Sequence, residues 1–174
     1  MIIPGMQYWS HFKYTTMHKW YVFLECIYMG IFWRGVFHDL SKYSPSEFCQ
    51  YANYFFDTDG TRFVKHDDNV RSQDFARAWN HHLKRNDHHW QYWIEFSYDG
   101  RITMNPRVMD WDAMKEMVCD MRGAGRAQGV DDPQNPLKWY TANRDRILLH
   151  PDTRFWLEME IGYYKPEVKN ADGL

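Results

Sequence analysis

Residues 7–29, QYWSHFKYTTMHKWYVFLECIYM, form one long segment of helical period with apolar and aromatic side chains on most faces, and Gly30 supplies its stop. A helix of that length must be packed against others, so this segment constrains the architecture more than any other. The longest apolar stretch of the chain, YVFLECIYMGIFW, is interrupted by Glu25 and falls short of the ~20 residues that a membrane span needs. The chain has 174 residues, which suits one domain with a substantial core. Aromatic residues make up 18% of it, which argues for packed structure over disorder. The net charge of −2 comes from 21 basic and 23 acidic side chains with no basic stripe, so extended nucleic-acid binding is not expected.

The remaining elements also read as helices. IFWRGVF is a short apolar segment leading into His38. In SPSEF, Ser44 suits an N-cap, Pro45 the first helical position, and Glu47 the third, completing a capping box for the helix PSEFCQYANYFF. DTDGTRFVKHDDNVRSQD reads as a loop. Residues 73–94 are helical in pattern with a break near Asn86-Asp87. IEFSYDGRITMNP reads as a small hairpin turning at Asp99-Gly100. Asn105-Pro106 is expected to open the next helix, with Val108, Met114, Met117, Val118 and Met121 on its apolar face. VDDPQNP is a loop, LKWYTANRDRI and HPDTRFWLEMEIGYY are helices, and residues 163–174 form a tail. The domain spans 1–174 with a core of about 7–162. Cys26, Cys49 and Cys119 are odd in number and lack a CxxC, and MIIPGMQYWSHFKY does not resemble a secretory signal, so a reduced, cytoplasmic protein is expected.

Nine histidines are distributed in a pattern. His11 and His18 are seven apart, as are the doublets His81-His82 and His88-His89, and positions i and i+7 share a helix face. His38-Asp39 is a further cluster, while His66 and His150 stand alone. Asp120 shares a helical face with Ala113, Met117 and Ala124, where an unpaired carboxylate would be costly and a cation would offset that cost. Imidazoles and carboxylates converging from several helices are what a zinc or transition-metal site requires. Each residue also has a plain structural explanation. His38-Asp39 fits a cap or surface pair, and His11 fits packing among aromatics. The doublets fit a solvated face anchored by Trp90, with at most one residue of each able to point along any given inward direction. His66 fits a polar loop, His150 a loop end, and Asp120 a salt bridge to Arg122 or Arg126.

In chain order the candidates run His18, His38-Asp39, His81/His82, His88/His89 and Asp120, which resembles the HD-domain superfamily of metal-dependent hydrolases. HDLSK resembles the HDxxK form of its phosphodiesterase branch. NHHLKRNDHH resembles the paired-histidine segment of that branch, and VCDMRGA its closing aspartate motif. A nearer resemblance, over about residues 10–155, is to small HD-like proteins frequent in phage and bacterial genomes. SHFKYTTMHKWYVF, WRGVFHDLSKYSPSEF, YANYFF, AWNHHLKRNDHHWQYW, EMVCD and ILLHPDTR carry it.

The resemblance implies an all-α, HD-domain-like helical bundle with a small β-hairpin insertion. It implies one metal on His18, His38, Asp39 and Asp120, and a second on one histidine of each doublet. His82 and His89 are favoured there, with His81 and His88 as rivals. The stretch from the doublets to Asp120 is longer than in the phosphodiesterase branch, and its GYP-type tail is missing. Both departures speak against cyclic-dinucleotide hydrolysis and leave Asp110 or Asp112 as alternative ligands. The expected function is a phosphohydrolase acting on a nucleotide or related phosphate ester through water activated by one or two divalent ions (Mn, Fe, Co, Mg or Zn). Asp39 would hold the resulting hydroxide, Lys42 and Arg34 would neutralise the phosphate, and Trp20, Trp33, Trp79 or Trp90 would stack a base or else pack in the core. Two alternatives use the same ligands: an HD-type binuclear-iron oxygenase, and a non-catalytic interaction protein stabilised by a metal. The expected partner is a small phosphate-bearing substrate, with no membrane association and with oligomerisation open.

Overall fold

A computed structural model describes residues 5–62, 72–97, 103–130, 132 and 136–163. The expected 7–29 helix is α1 (Met6–Tyr28), and Gly30 follows it at φ 74°, a left-handed conformation that glycine adopts without strain. The buried face of α1 is polar. His11, Thr15, His18, Val22, Glu25 and Cys26 point inward, while Trp9, Trp20, Ile27 and Tyr28 are exposed. α1 packs on α2 (Phe32–Phe37), α3 (Pro45–Phe55) and α5 (Trp111–Gln128). Two of these contacts are close because glycine leaves room. A Cβ at Gly123 of α5 would lie 2.4 Å from Val22 Cγ2, and one at Gly35 of α2 would lie 2.7 Å from Cys26 Cβ.

α3 begins as expected, with Ser44 at the N-cap and Pro45 in the first turn, yet the capping box does not form. The Ser44 hydroxyl lies 3.0 Å from Ser46 Oγ, and Glu47 turns into the interior instead of reaching back. α4 (Gln73–Arg85) starts at Ser72, whose Oγ accepts from the Phe75 N–H at 3.2 Å. It packs on α3 and ends at Asn86, where the sequence marks a break. A 3-10 turn (Trp90–Trp93) leads into β1 (Ile94–Ser97), which pairs antiparallel with β2 (Thr103–Pro106), Ile94 opposite Pro106 and Ser97 opposite Thr103. The Asp99-Gly100 turn, His66 and the tail from residue 164 lie outside the described residues.

Asn105-Pro106 belongs to β2, so the expected helix opens later than the sequence suggests, with Asp110 as the N-cap of α5. The chain between them is not helical, and this shifts the inward position by one. Met109 is buried with its N–H bonded to Thr153 Oγ1 at 2.9 Å, while Val108 is exposed. α6 (Leu137–Asn143) continues into a 3-10 turn, Arg144–Arg146. α7 (Pro151–Glu160) is capped by His150, whose Nδ1 accepts from the Asp152 N–H at 3.2 Å. The largest apolar cluster joins Met109, Met114, Met117 and Val118 to Tyr140 and Leu157, and smaller clusters form around Val22 and around Tyr51. Much of the remaining interior is polar, including His18, His38, Asp39, Glu47, His82, His88 and Glu116. The described fold is therefore mainly helical with one two-stranded hairpin, and none of its described helices is long and apolar enough to cross a membrane.

Candidate metal centre

Four parts of the chain meet at Asp39. α1 supplies His18, the junction after α2 supplies His38 and Asp39, α4 and the turn beyond it supply His82, His88 and His89, and α5 supplies Glu116 and Asp120. His38 ends α2 in an extended conformation, φ −50° and ψ 125°, and Asp39 follows at φ 53°. That left-handed residue is the one non-glycine with positive φ among the described residues. Aspartate tolerates this conformation better than most side chains, and such strain is held where the surroundings over-determine it. The bend lets two consecutive side chains, both 1% exposed, face the same interior point.

Besides a group of His38, His88 and Glu116, the donor atoms form two groups that share Asp39. In one, His18, His38, Asp39 and Asp120 each offer an atom within 4.8 Å of the others. His18 Nε2 is 2.9 Å and His38 Nε2 3.5 Å from Asp120 Oδ1, and His38 Nε2 is 3.3 Å from Asp39 Oδ2. In the other, Asp39, His82, His88 and His89 converge within the same limit. His82 Nε2 and His88 Nε2 each lie 3.4 Å from Asp39 Oδ1, and His89 Nε2 lies 2.9 Å from His82 Nε2. His38 Nε2, His88 Nε2 and Asp39 Oδ1 are buried without a hydrogen-bond partner. Buried polar atoms are nearly always satisfied, so inward-aimed nitrogens and a carboxylate oxygen left open together fit a cation. With five imidazoles against two carboxylates, the donors suit a transition metal better than magnesium.

Two further carboxylates orient the imidazoles from behind. Glu116 Oε1 lies 2.8 Å from His38 Nδ1 and 3.2 Å from His88 Nδ1, so each ring donates Nδ1–H outward and turns Nε2 toward Asp39. Glu47 performs the same task at α4. Its Oε2 accepts from His82 Nδ1 at 3.1 Å and from the Ser41 hydroxyl at 2.9 Å, while Oε1 accepts from His81 Nδ1 at 2.8 Å. Lys19 ties down the bend by donating to the carbonyls of Val36, 2.8 Å, and His38, 2.6 Å.

The charges follow from these contacts. Burial opposes ionisation of Asp39 and Asp120, yet His38 with Lys42, and His18 with His38, hold the two carboxyls well below the ordinary range. Burial likewise works against Glu116, but hydrogen bonds from His38 and His88 bring it down to about 2. Burial lowers His82, and lowers His89 strongly with help from the neighbouring imidazoles, which keeps both in the neutral form that binds metal. His38 is raised well above its ordinary value against the pull of burial, because Asp39, Asp120 and Glu116 surround it.

The structure distributes the expected residues unevenly. His81 does not join the cluster; its ring is half exposed against Glu47. The resemblance implies one ligand from each doublet, yet His88 and His89 both offer a donor atom to the group around Asp39. His88 and His89 follow the end of α4, so they are not bound by helical geometry and both reach Asp39's surroundings. Lys42 donates to Asp39 Oδ2 at 2.5 Å. Arg34 is engaged by Glu116 at 2.6 Å and by Asp87. Asp110 stands at the N-cap position of α5 and Asp112 is exposed in its first turn, and neither alternative ligand is among the converging donors. Arg126 pairs with Glu25 at 2.9 Å, and Arg122 lies between Glu160, 3.4 Å, and Glu25, 3.9 Å. Trp20 and Trp33 are exposed, while Trp79 and Trp90 pack against apolar clusters. His11 packs among Phe48, Tyr51 and Phe56.

The histidine pattern of the sequence points to neither Glu116 nor Glu47. Glu116 stands one turn before Asp120 on the same face of α5, a spacing visible in the sequence. Glu47 was hidden by its fit to a capping box. Residues 7–162 match a family described as a family of unknown function, DUF5662. No curated protein and no solved structure matches the chain.

Proposed function

The chain belongs to the DUF5662 family, and we propose that its buried centre is that of an HD-type, metal-dependent phosphohydrolase acting on a nucleotide or related phosphate ester. The observation that carries this reading is the pair of four-residue donor groups joined through Asp39, with open buried donor atoms in both. His18, His38 and Asp120 would hold one ion, and His82, His88 and His89 a second, with Asp39 between them. A divalent ion held there would supply a water of lowered pKa and a Lewis acid for a phosphoryl oxygen.

The chain's own residues prepare that chemistry. Glu47 and Glu116 select the tautomers that turn Nε2 inward. Lys42, hydrogen-bonded to Asp39 Oδ2, holds this carboxylate in place and adds a positive charge beside it. Arg34, bound to Glu116, is a positioning residue in this reading and supports the carboxylate that orients His38 and His88. The test is elemental analysis of protein purified without chelator, followed by a phosphoester and nucleotide screen with the metal found. Release of phosphate that depends on that metal is expected. A protein that contains no metal and takes up none on addition would refute the reading.

A second reading is favoured by the nitrogen-rich donor set, which suits iron. It is a binuclear-iron oxygenase. Two irons per chain with an optical change on exposure to dioxygen, and no phosphate release, would select it over the hydrolase.

A further inference from the structure

A cavity of about 510 Å³ is lined by Phe37, Leu40, Ser41, Ser44, Ser46, His81, Arg85 and Asn86, and two of these, Ser41 and Asn86, lie within 3.3 Å of His82 Nδ1. That volume falls in the range of small-molecule sites. Its lining is one-sided in charge, with a guanidinium, an imidazole, a carboxamide and three hydroxyls but no carboxylate. The acid nearest in the hydrogen-bond network, Glu47, is fully buried and already engaged by His81, His82 and Ser41. Arg85 is exposed and has no carboxylate partner among the described residues, in contrast to Arg34, Arg122, Arg126 and Arg144. His81 is held through Nδ1 by Glu47, which leaves Nε2 for the cavity. The same lining includes Phe37 and Leu40, which are 62% and 48% exposed, with the Phe37 ring stacked on one side by Trp33.

We propose that this cavity is a second binding site, separate from the metal centre, for a small organic anion. Its phosphate or carboxylate lies on Arg85 with the serine hydroxyls, and its aromatic or aliphatic body rests on Phe37 and Leu40. A planar guanidinium suits either anion, and a wall of one phenyl and one isobutyl group favours a ligand with an apolar body over a bare ion. The site also touches the metal centre's support. Ser41 lines the cavity and donates to the Glu47 oxygen that holds His82 Nδ1. A ligand that draws this hydroxyl away alters the hydrogen bonding of His82.

Titration calorimetry of chelator-treated protein with phenyl phosphate, benzoate and inorganic phosphate reads this cavity with metal removed. At least one aromatic anion is expected to bind once per chain and more tightly than inorganic phosphate. The better of phenyl phosphate and benzoate identifies the anionic group. Arg85→Ala is expected to weaken that binding by about tenfold, as loss of a charge-assisted hydrogen bond does, and Phe37→Ala to weaken it as well. Both side chains are exposed, so an unchanged thermal midpoint certifies the variants. The proposal is overturned if neither aromatic anion binds, if binding disappears with the metal, or if Arg85→Ala leaves the affinity as it was. A protein that takes up no metal yet binds an aromatic anion in this Arg85-dependent way keeps this site while refuting the phosphohydrolase reading.

Discussion

Asp39 carries a charge and a bend at once and stands between two groups of histidines, and its neighbours are arranged around that combination. Its φ of 53° turns it toward His38's target, and its two oxygens address different histidine groups. Glu116 is a support for this arrangement. Glu116→Gln should lower metal affinity about 10- to 100-fold, the usual cost of losing such an outer carboxylate, with the fold retained; competition with a chromophoric chelator measures it. His11 supplies a contrasting test away from the donors. Burial depresses it to about 4 from an ordinary 6.5, so the folded protein keeps it neutral where the unfolded chain is already protonated. Its contribution is therefore complete above pH 6.5 and is lost as pH falls toward 4, by up to about 3 kcal/mol. Urea unfolding at pH 7 and pH 5 should show a smaller loss for His11→Phe than for the wild type.

The elements are matched in an unusual sense, since α1 turns polar residues inward and large aromatics outward. His11, His18 and Glu25 are buried while Trp9, Trp20 and Tyr28 are exposed. The periodicity of residues 7–29 specifies a helix but not this orientation, because apolar side chains occupy most of its faces. What orients α1 is its partner. Gly123 of α5 admits Val22, and Arg126 meets Glu25 at 2.9 Å. Gly123→Ala places a methyl group against the Val22 backbone nitrogen, 2.9 Å away, as well as its side chain, so the helices must separate. A loss of about 1–3 kcal/mol in urea unfolding is expected, as for overpacked cores. Because Asp120 and Glu116 ride on α5 and His18 on α1, the same variant should also weaken metal binding.

At the scale of the whole molecule, the centre ties together segments far apart in the chain, from His18 to Asp120. A ligand that binds the assembled site and not the unfolded chain must stabilise the fold by mass action, about 2.7 kcal/mol at a hundredfold excess over Kd. Addition of manganese, iron, cobalt or zinc to chelated protein should therefore raise the thermal midpoint. Asp39→Asn, which keeps a side chain tolerant of the left-handed bend and removes the charge between the two groups, should abolish that rise. A midpoint indifferent to every one of these ions would argue against a metal joining these segments.

Local chemistry in the sequence determined much of this protein. Helical period located α1, proline and serine located the start of α3, and the Asn86-Asp87 break located the end of α4. The spacing of the histidines, with His38-Asp39 and Asp120, singled out most of the residues that converge. These features are readable because they depend on side chains a few positions apart. The tertiary structure alone decided which face of α1 is buried, and that Glu47 abandons its cap for two imidazoles. It also decided that His88 and His89 both turn inward while His81 does not, and that Val108 yields its core position to Met109. Each of these outcomes depends on partners tens of residues away, or on a backbone that leaves helical geometry, and neither is encoded in the period of any one segment.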